Sequence, residues 1–171
     1  MLFRNPYPFK LQFSKEVTGE PYIRYHQFAF RGKDKLRYII WVEEFPNLVY
    51  GISFFVTKLL QSNKRYEMLT NKQDAFRIFA TCLEVIDQIR REHTGASFLF
   101  TAAHSVEEDK DKPNKRFRIY RRMMADAYSP MEFFHYELEA KNTYMMISRQ
   151  HENPQLVADS ITEMLNTNYQ F

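Results

Sequence analysis

Residues 48–56 read LVYGISFFV and residues 96–103 read ASFLFTAA, and between them residues 74–92 read DAFRIFATCLEVIDQIRRE. The two outer stretches are almost continuously apolar, which is typical of strands buried on both faces of a sheet. The middle stretch repeats apolar side chains at helical spacing, with polar side chains on the other side. A helix that connects two buried strands predicts a right-handed crossover and therefore a parallel pair.

Further elements lie on both sides of this unit. Aromatic and β-branched side chains predict more strands, and apolar spacing of three to four residues predicts more helices. The predicted strands are residues 22–30, 37–45, 131–139 and 143–149, with a short strand near residues 9–13; the predicted helices are residues 115–127 and a last helix that starts at Asn153-Pro154. The inward side chains predicted for residues 74–92 are Phe76, Phe79, Leu83, Val85, Ile86 and Ile89.

The resulting order is β-β-β-α-β-α-β-β-α. It predicts an α+β fold with a single mixed, mostly antiparallel sheet and helices on its faces. The length of 171 residues fits one domain over residues 1–171. With 44% hydrophobic and 26% charged residues, the chain is expected to fold as a globule.

Composition also bears on compartment and cofactors. No apolar run reaches the 18 or so residues of a membrane span, so no membrane association is expected. One cysteine, Cys82, cannot form an intrachain disulfide, which suits a reducing cytoplasm. The four glycines are widely spaced, and a dinucleotide fingerprint, a Walker A loop or a kinase glycine loop needs them clustered. We therefore expect no cofactor.

The order of elements resembles the core of the GNAT acyltransferase superfamily over residues 22–150. Phe117-Arg118-Ile119-Tyr120-Arg121-Arg122 is similar to the aromatic-Tyr element of that family's second helix. The resemblance implies that Tyr120 would protonate the departing thiolate, and that a glutamate near Glu43-Glu44 would serve as general base. Residues 74–86, 96–102 and 115–123 are also similar to short phage and mobile-element proteins.

The stretch that matches the family's acyl-CoA loop departs from its pattern. GNAT enzymes hold the pyrophosphate on backbone amides through a loop of the type Gln/Arg-x-x-Gly-x-Gly/Ala, whereas residues 67–76, EMLTNKQDAF, contain no glycine. Asp74 in the first turn of the helix repels a phosphate. We therefore predict a non-catalytic GNAT-like interaction protein, an assembly or regulatory component of a phage or mobile element. The alternative is an acyl-CoA-dependent N-acyltransferase with an atypical loop.

A second alternative is a nucleic-acid-binding accessory protein. Five basic residues fall within eight positions of the helix at residues 115–127; they are Lys115, Arg116, Arg118, Arg121 and Arg122. Lys115, Arg118 and Arg122 form one stripe suited to phosphates, with Arg121 beside it and aromatic side chains nearby for bases. The same stripe, beside the acidic residues 107–111, also suits a protein partner.

The remaining reactive side chains favour structural roles. Cys82 lies on the apolar face of its helix, where a buried thiol is inert. The histidines, His26, His93, His104, His135 and His151, lack metal-ligand spacing, so no metal is expected. The 16 Phe, 11 Tyr and one Trp exceed what a domain of this length buries, and surface aromatics are typical of interfaces. We therefore expect a protein partner or a homo-oligomer.

Overall fold

The computed structural model describes residues 4–33, 35–57, 72–102 and 115–168. In these ranges the chain forms seven strands, three helices and a short 3-10 turn at Glu139–Lys141. The strands are β1 (Phe9–Glu16), β2 (Arg24–Arg31), β3 (Arg37–Phe45), β4 (Val49–Val56), β5 (Ser97–Thr101), β6 (Phe133–Leu138) and β7 (Thr143–Ser148). The helices are α1 (Lys72–Glu92), α2 (Lys115–Ala127) and α3 (Pro154–Asn168).

All seven strands belong to one sheet in the order β1-β2-β3-β4-β5-β7-β6. β4 and β5 pair in parallel, and the other neighbours pair antiparallel. This confirms the predicted α+β class with one mixed sheet. β1 runs through Glu16 and is longer than the short strand predicted near residues 9–13. With β1 counted, four strands precede α1, one more than in the predicted order β-β-β-α.

The first face of the sheet carries the larger core, in which α1 and α2 side chains pack on the strands. Of the side chains predicted to point inward from α1, Phe79, Leu83 and Ile86 are at most 1% exposed. The prediction for Phe76 is wrong, because its side chain is 52% exposed. Phe76 lies seven residues before buried Leu83 and so points in nearly the same direction around the helix. Its exposure therefore reflects its position along the helix, in the first turns of α1.

The second face holds two separate clusters. Ala158, Ile161 and Leu165 of α3 pack on β4, β5 and β7 in the first cluster. The second cluster lies on β2, β3 and β4 and consists of Ala29, Ile39 and Phe55, with half-buried Trp41 packed against it. No helix in the described part of the chain is long and apolar enough to cross a membrane.

Candidate functional site

Tyr120 lies on α2 inside an aromatic cluster of the first face. Its ring stacks on Phe79 at a centroid distance of 4.6 Å and meets Phe100 at 5.5 Å and Phe54 at 6.2 Å. Burial raises the pKa of the Tyr120 phenol, and nearby Arg116 opposes that shift. A phenol with a raised pKa is a weaker acid, so burial weighs against proton donation. The catalytic role of Tyr120 stays a prediction.

The cluster sits where two strands part. The parallel ladder joins Val49 to Ser97 and ends at Ile52 and Phe100, whereas β4 continues to Val56. Thr101, the next residue of β5, pairs with β7 only. Tyr120 contacts an aromatic ring on each of the diverging strands, so its side chain fills the space between them with apolar surface.

Residues 67–71 of the segment matched to the acyl-CoA loop lie outside the described residues, and its remaining residues begin α1. Asp74, in the first turn of α1, accepts a hydrogen bond from the hydroxyl of Tyr7. That hydroxyl also accepts from the amide of Lys33 at 2.9 Å, and the Arg77 guanidinium lies 3.8 Å from the centre of the Tyr7 ring. The carboxylate at this helix end is therefore occupied by the N-terminal segment of the chain.

The predicted basic stripe on α2 is divided by its partners. Arg121 contacts Glu137 at 3.3 Å and Glu139 at 3.5 Å, so two carboxylates neutralise it. Arg116 is half-buried and has interactions of its own. The side chain of Lys115 lies outside the described residues. Arg118 and Arg122 are exposed, so the five predicted cations have different surroundings.

A second group of cations lies on the antiparallel strands β1, β2 and β3. Arg31 of β2 and Arg37 of β3 are directly opposite each other in the register, and both are exposed. Arg31 donates to the Lys35 carbonyl at 3.2 Å, and Arg37 donates to Gln12 Oε1 at 3.0 Å. Both acceptors are neutral. Two like charges directly opposite in a sheet are destabilising, so this pair favours an anion between or above the guanidinium groups.

Two further cations of β1, Lys10 and Lys15, lie on the same face, and a β-bulge places the second of them there. Lys10 pairs with Ala29, which lies two residues from Arg31 and therefore on the same face. The register shifts between Leu11 and Phe13, after which Phe13 pairs with Gln27 and Lys15 with Tyr25. Without the shift, strand alternation would turn Phe13 and Lys15 to the other face.

We call this surface the basic–aromatic face. It is defined by the side chains that the register places together on the second face of β1–β3, namely Lys10, Phe13, Lys15, Tyr25, Arg31, Arg37 and Trp41. Lys10, Gln12, Arg31 and Arg37 line a groove of about 560 Å³ at one end of it. Glu43 is the acidic residue on this part of β3; it is half-buried and has interactions of its own.

The aromatic side chains of this face contact one another. Tyr25 and Trp41 stack with centroids 4.3 Å apart and planes 16° from parallel. Phe13 meets Tyr25 edge-on at 5.9 Å and is 43% exposed. Trp41 is half-buried against the apolar cluster of Ala29, Ile39 and Phe55. The face thus offers flat apolar surface between cations.

On the first face, the same strands align a serine, a histidine and a glutamate. The Ser14 hydroxyl lies 2.6 Å from His26 Nδ1, and His26 Nε2 lies 3.0 Å from Glu44 Oε2. Nucleophile, base and orienting carboxylate have this order in hydrolases. Here, however, Arg24 also binds Glu44 at 3.6 Å and reaches Glu16 at 3.0 Å. Glu44, which the resemblance made a candidate base, is therefore part of a cross-strand ion-pair network.

The other reactive side chains lack a shared site. Cys82 is fully buried, and burial raises the pKa of its thiol, which keeps it protonated and unreactive. His135 of β6 contacts the Tyr144 hydroxyl through Nδ1 at 2.7 Å, and burial lowers the pKa of its imidazole. Among the described residues, no three histidine, cysteine or carboxylate side chains come together as metal ligands.

The sequence prediction named the cations of α2 and not Arg31 and Arg37, which lie on two neighbouring strands. Arg31 and Arg37 bracket a five-residue connection, and a hairpin places the residues that flank its loop opposite each other. This spacing in the sequence could have indicated that the two arginines pair across the hairpin. No protein-family model matches the chain, and comparisons with curated proteins and with solved structures found no similar protein.

Proposed function

We propose that this protein is a non-catalytic accessory protein of GNAT-like fold that binds nucleic acid through the basic–aromatic face. The observation that carries the proposal is the Arg31–Arg37 pair: the two residues lie directly opposite each other in the register, and both guanidinium groups donate to neutral acceptors. Guanidinium groups match phosphate oxygens in geometry as well as charge.

The extent of the charge supports a polyanion rather than a single small anion. Arg37 and Glu43 are six residues apart on β3, which corresponds to about 20 Å along the strand. Lys15 pairs with Tyr25, and Tyr25 pairs with Glu43, so Lys15 lies at that far end. Cations therefore stand at both ends of a surface much longer than one phosphate group. The flat aromatic rings between them suit nucleobases.

Burial supports the non-catalytic part of the proposal. Tyr120, the residue that the GNAT resemblance assigns as proton donor, is only 6% exposed and packed among phenylalanine rings. The carboxylate of Asp74 at the start of α1 disfavours a pyrophosphate there. The expected protein partner or homo-oligomer and the expected source in a phage or mobile element stay predictions.

Fluorescence anisotropy of a labelled 20-nucleotide oligomer tests the binding face. The double variant Arg31→Gln/Arg37→Gln should weaken binding about tenfold or more, because each phosphate contact releases a counterion. The double variant Arg118→Gln/Arg122→Gln is the matched control, since it removes the same charge from exposed positions on α2. It should bind like the wild type. Equal losses in both variants, or a loss only in the α2 variant, would refute the assignment to this face.

A further inference from the structure

We infer that the basic–aromatic face selects single-stranded over double-stranded nucleic acid, with unpaired bases stacking on Phe13 and Trp41; this inference rests on the proposed function. Base stacking on aromatic side chains is the usual way in which proteins hold single strands, because every base has a flat face. A base inside a duplex is already stacked on its neighbours and is not available to a ring on a sheet.

Phe13 and Trp41 present ring surface in different orientations. Tyr25 contacts both of them. Its ring stacks flat on Trp41 at a centroid distance of 4.3 Å and meets Phe13 edge-on, with planes 81° apart. Tyr25 therefore fixes both rings. Phe13 is 43% exposed on an edge strand, where a large apolar side chain gains little from the core. A ring held in place and exposed is prepared for a flat ligand.

The spacing places cations on both sides of these rings. Arg37 lies four residues before Trp41 on β3, about 13 Å along the strand, and Lys15 lies two residues after Phe13, about 7 Å along β1. A single strand that runs parallel to the strands of the sheet would thus meet phosphate-binding side chains before and after the stacked bases. Gln27 and Ser53 pair with Trp41 in the sheet register and add hydrogen-bonding groups beside its ring.

The shape of the surface argues in the same direction. The major groove of a DNA duplex admits a helix or a two-stranded ribbon. The basic–aromatic face is instead the broad side of three adjacent strands, with half-buried Trp41 at its middle. Phe13 is 43% exposed and Trp41 keeps part of its side chain exposed, so an unpaired base can reach both residues from this side.

The experiment uses the full chain and its one tryptophan. Trp41 is the single Trp of the sequence, so its emission reports the centre of the proposed site directly. The wild type is titrated with 20-nucleotide oligothymidine, with oligouridine of equal length and with a 20-base-pair duplex. The variants are Phe13→Ala and, as control, Leu11→Ala. Leu11 is 49% exposed on the same strand but pairs with Phe28 and lies on the opposite face.

We expect the single strands to quench Trp41 and to bind about tenfold or more tightly than the duplex. Phe13→Ala should weaken single-strand binding about tenfold, the scale of one lost stacked base, whereas Leu11→Ala should not. If single strands and duplex bind equally and Trp41 emission is unchanged, the inference fails while the proposed function stands. If none of the three binds, the proposed function itself fails.

Discussion

Arg31 of β2 and Arg37 of β3 face each other across an antiparallel ladder, and no carboxylate in the described residues pairs with either guanidinium. Elsewhere in the same sheet arginines have acidic partners, as Arg24 has in Glu16 and Glu44. Among the described residues, the Arg31–Arg37 pair is thus a place where like charges face each other with no acidic partner. Like charges directly opposite in a sheet are destabilising, and such a cost is expected where a ligand supplies the missing charge.

The first prediction concerns this cost. Arg31→Gln should raise the free energy of unfolding by about 0.2–1 kcal/mol at low ionic strength, because it removes a like-charge cross-strand pair. Urea unfolding measures the difference. Added salt screens the repulsion and should shrink the gap between variant and wild type. A variant that is less stable than the wild type at low salt would mean that the two guanidinium groups are not in conflict.

The second prediction concerns the buried hydroxyl of Tyr50. Its side chain is 2% exposed, and among the described residues its hydroxyl has no hydrogen-bond partner. Tyr50→Phe should therefore stabilise the protein by about 1 kcal/mol, since it removes an unpaired buried polar group. Tyr128→Phe is the matched control, because the Tyr128 hydroxyl donates towards the Leu83 carbonyl at 3.2 Å or Asp87 at 3.1 Å. It should lower stability by about 1 kcal/mol.

Thermal unfolding of both variants decides the matter. Opposite shifts of the midpoint are expected. A midpoint that falls as far in Tyr50→Phe as in Tyr128→Phe would show that the Tyr50 hydroxyl contributes a favourable contact.

The third prediction concerns alkaline pH. Burial, with the negative charge of Glu44 adding to it, raises the pKa of Tyr50 to about 12 from its usual value of 10.0. The folded state thus holds this phenol neutral where the unfolded state ionises it, so its contribution is complete below pH 10 and is lost as pH rises towards 12. Stability measured across this range should fall less steeply in Tyr50→Phe than in the wild type. If stability falls equally steeply with pH in Tyr50→Phe and in the wild type, the raised pKa of Tyr50 is contradicted.

The fourth prediction concerns acyl-CoA. We expect no binding of acetyl-CoA. A ligand bound only by the folded state must raise the melting midpoint, so the midpoint should stay unchanged with acetyl-CoA at millimolar concentration. Coenzyme A without the acetyl group serves as a control for binding through the pyrophosphate alone. A concentration-dependent rise with acetyl-CoA would instead favour the acyltransferase alternative.

The fold was largely predictable because its signals are local. The periodicity of α1 and the apolar runs of β4 and β5 identify the crossover, and the parallel pair follows from chain connectivity. The prediction for Phe76 is wrong because this side chain fits the helical pattern but lies in the first turns of α1, where the helix end leaves it exposed. β1 was shortened because polar residues after Phe13 interrupt the strand pattern at an exposed edge.

The site was less predictable because it depends on register. The basic residues of α2 are close together in the sequence, so they could be predicted. That Glu137 and Glu139 neutralise Arg121 could not, because this depends on where β6 and the turn after it lie relative to α2. The basic–aromatic face joins three strands, and the bulge between Leu11 and Phe13 decides which side chains of β1 belong to it. A one-residue shift of this kind leaves no mark in composition. The alignment of Ser14, His26 and Glu44 depends on the same register.

The salt dependence of oligothymidine binding tests the central claim most directly. For single strands the slope of log K against log salt concentration is about −0.7 for each phosphate neutralised. The Arg31→Gln/Arg37→Gln variant should therefore have a slope shallower than the wild type by about 1.4. The Arg118→Gln/Arg122→Gln variant should retain the wild-type slope. A slope that is unchanged in the first variant, or reduced equally in both, would contradict nucleic-acid binding at the basic–aromatic face.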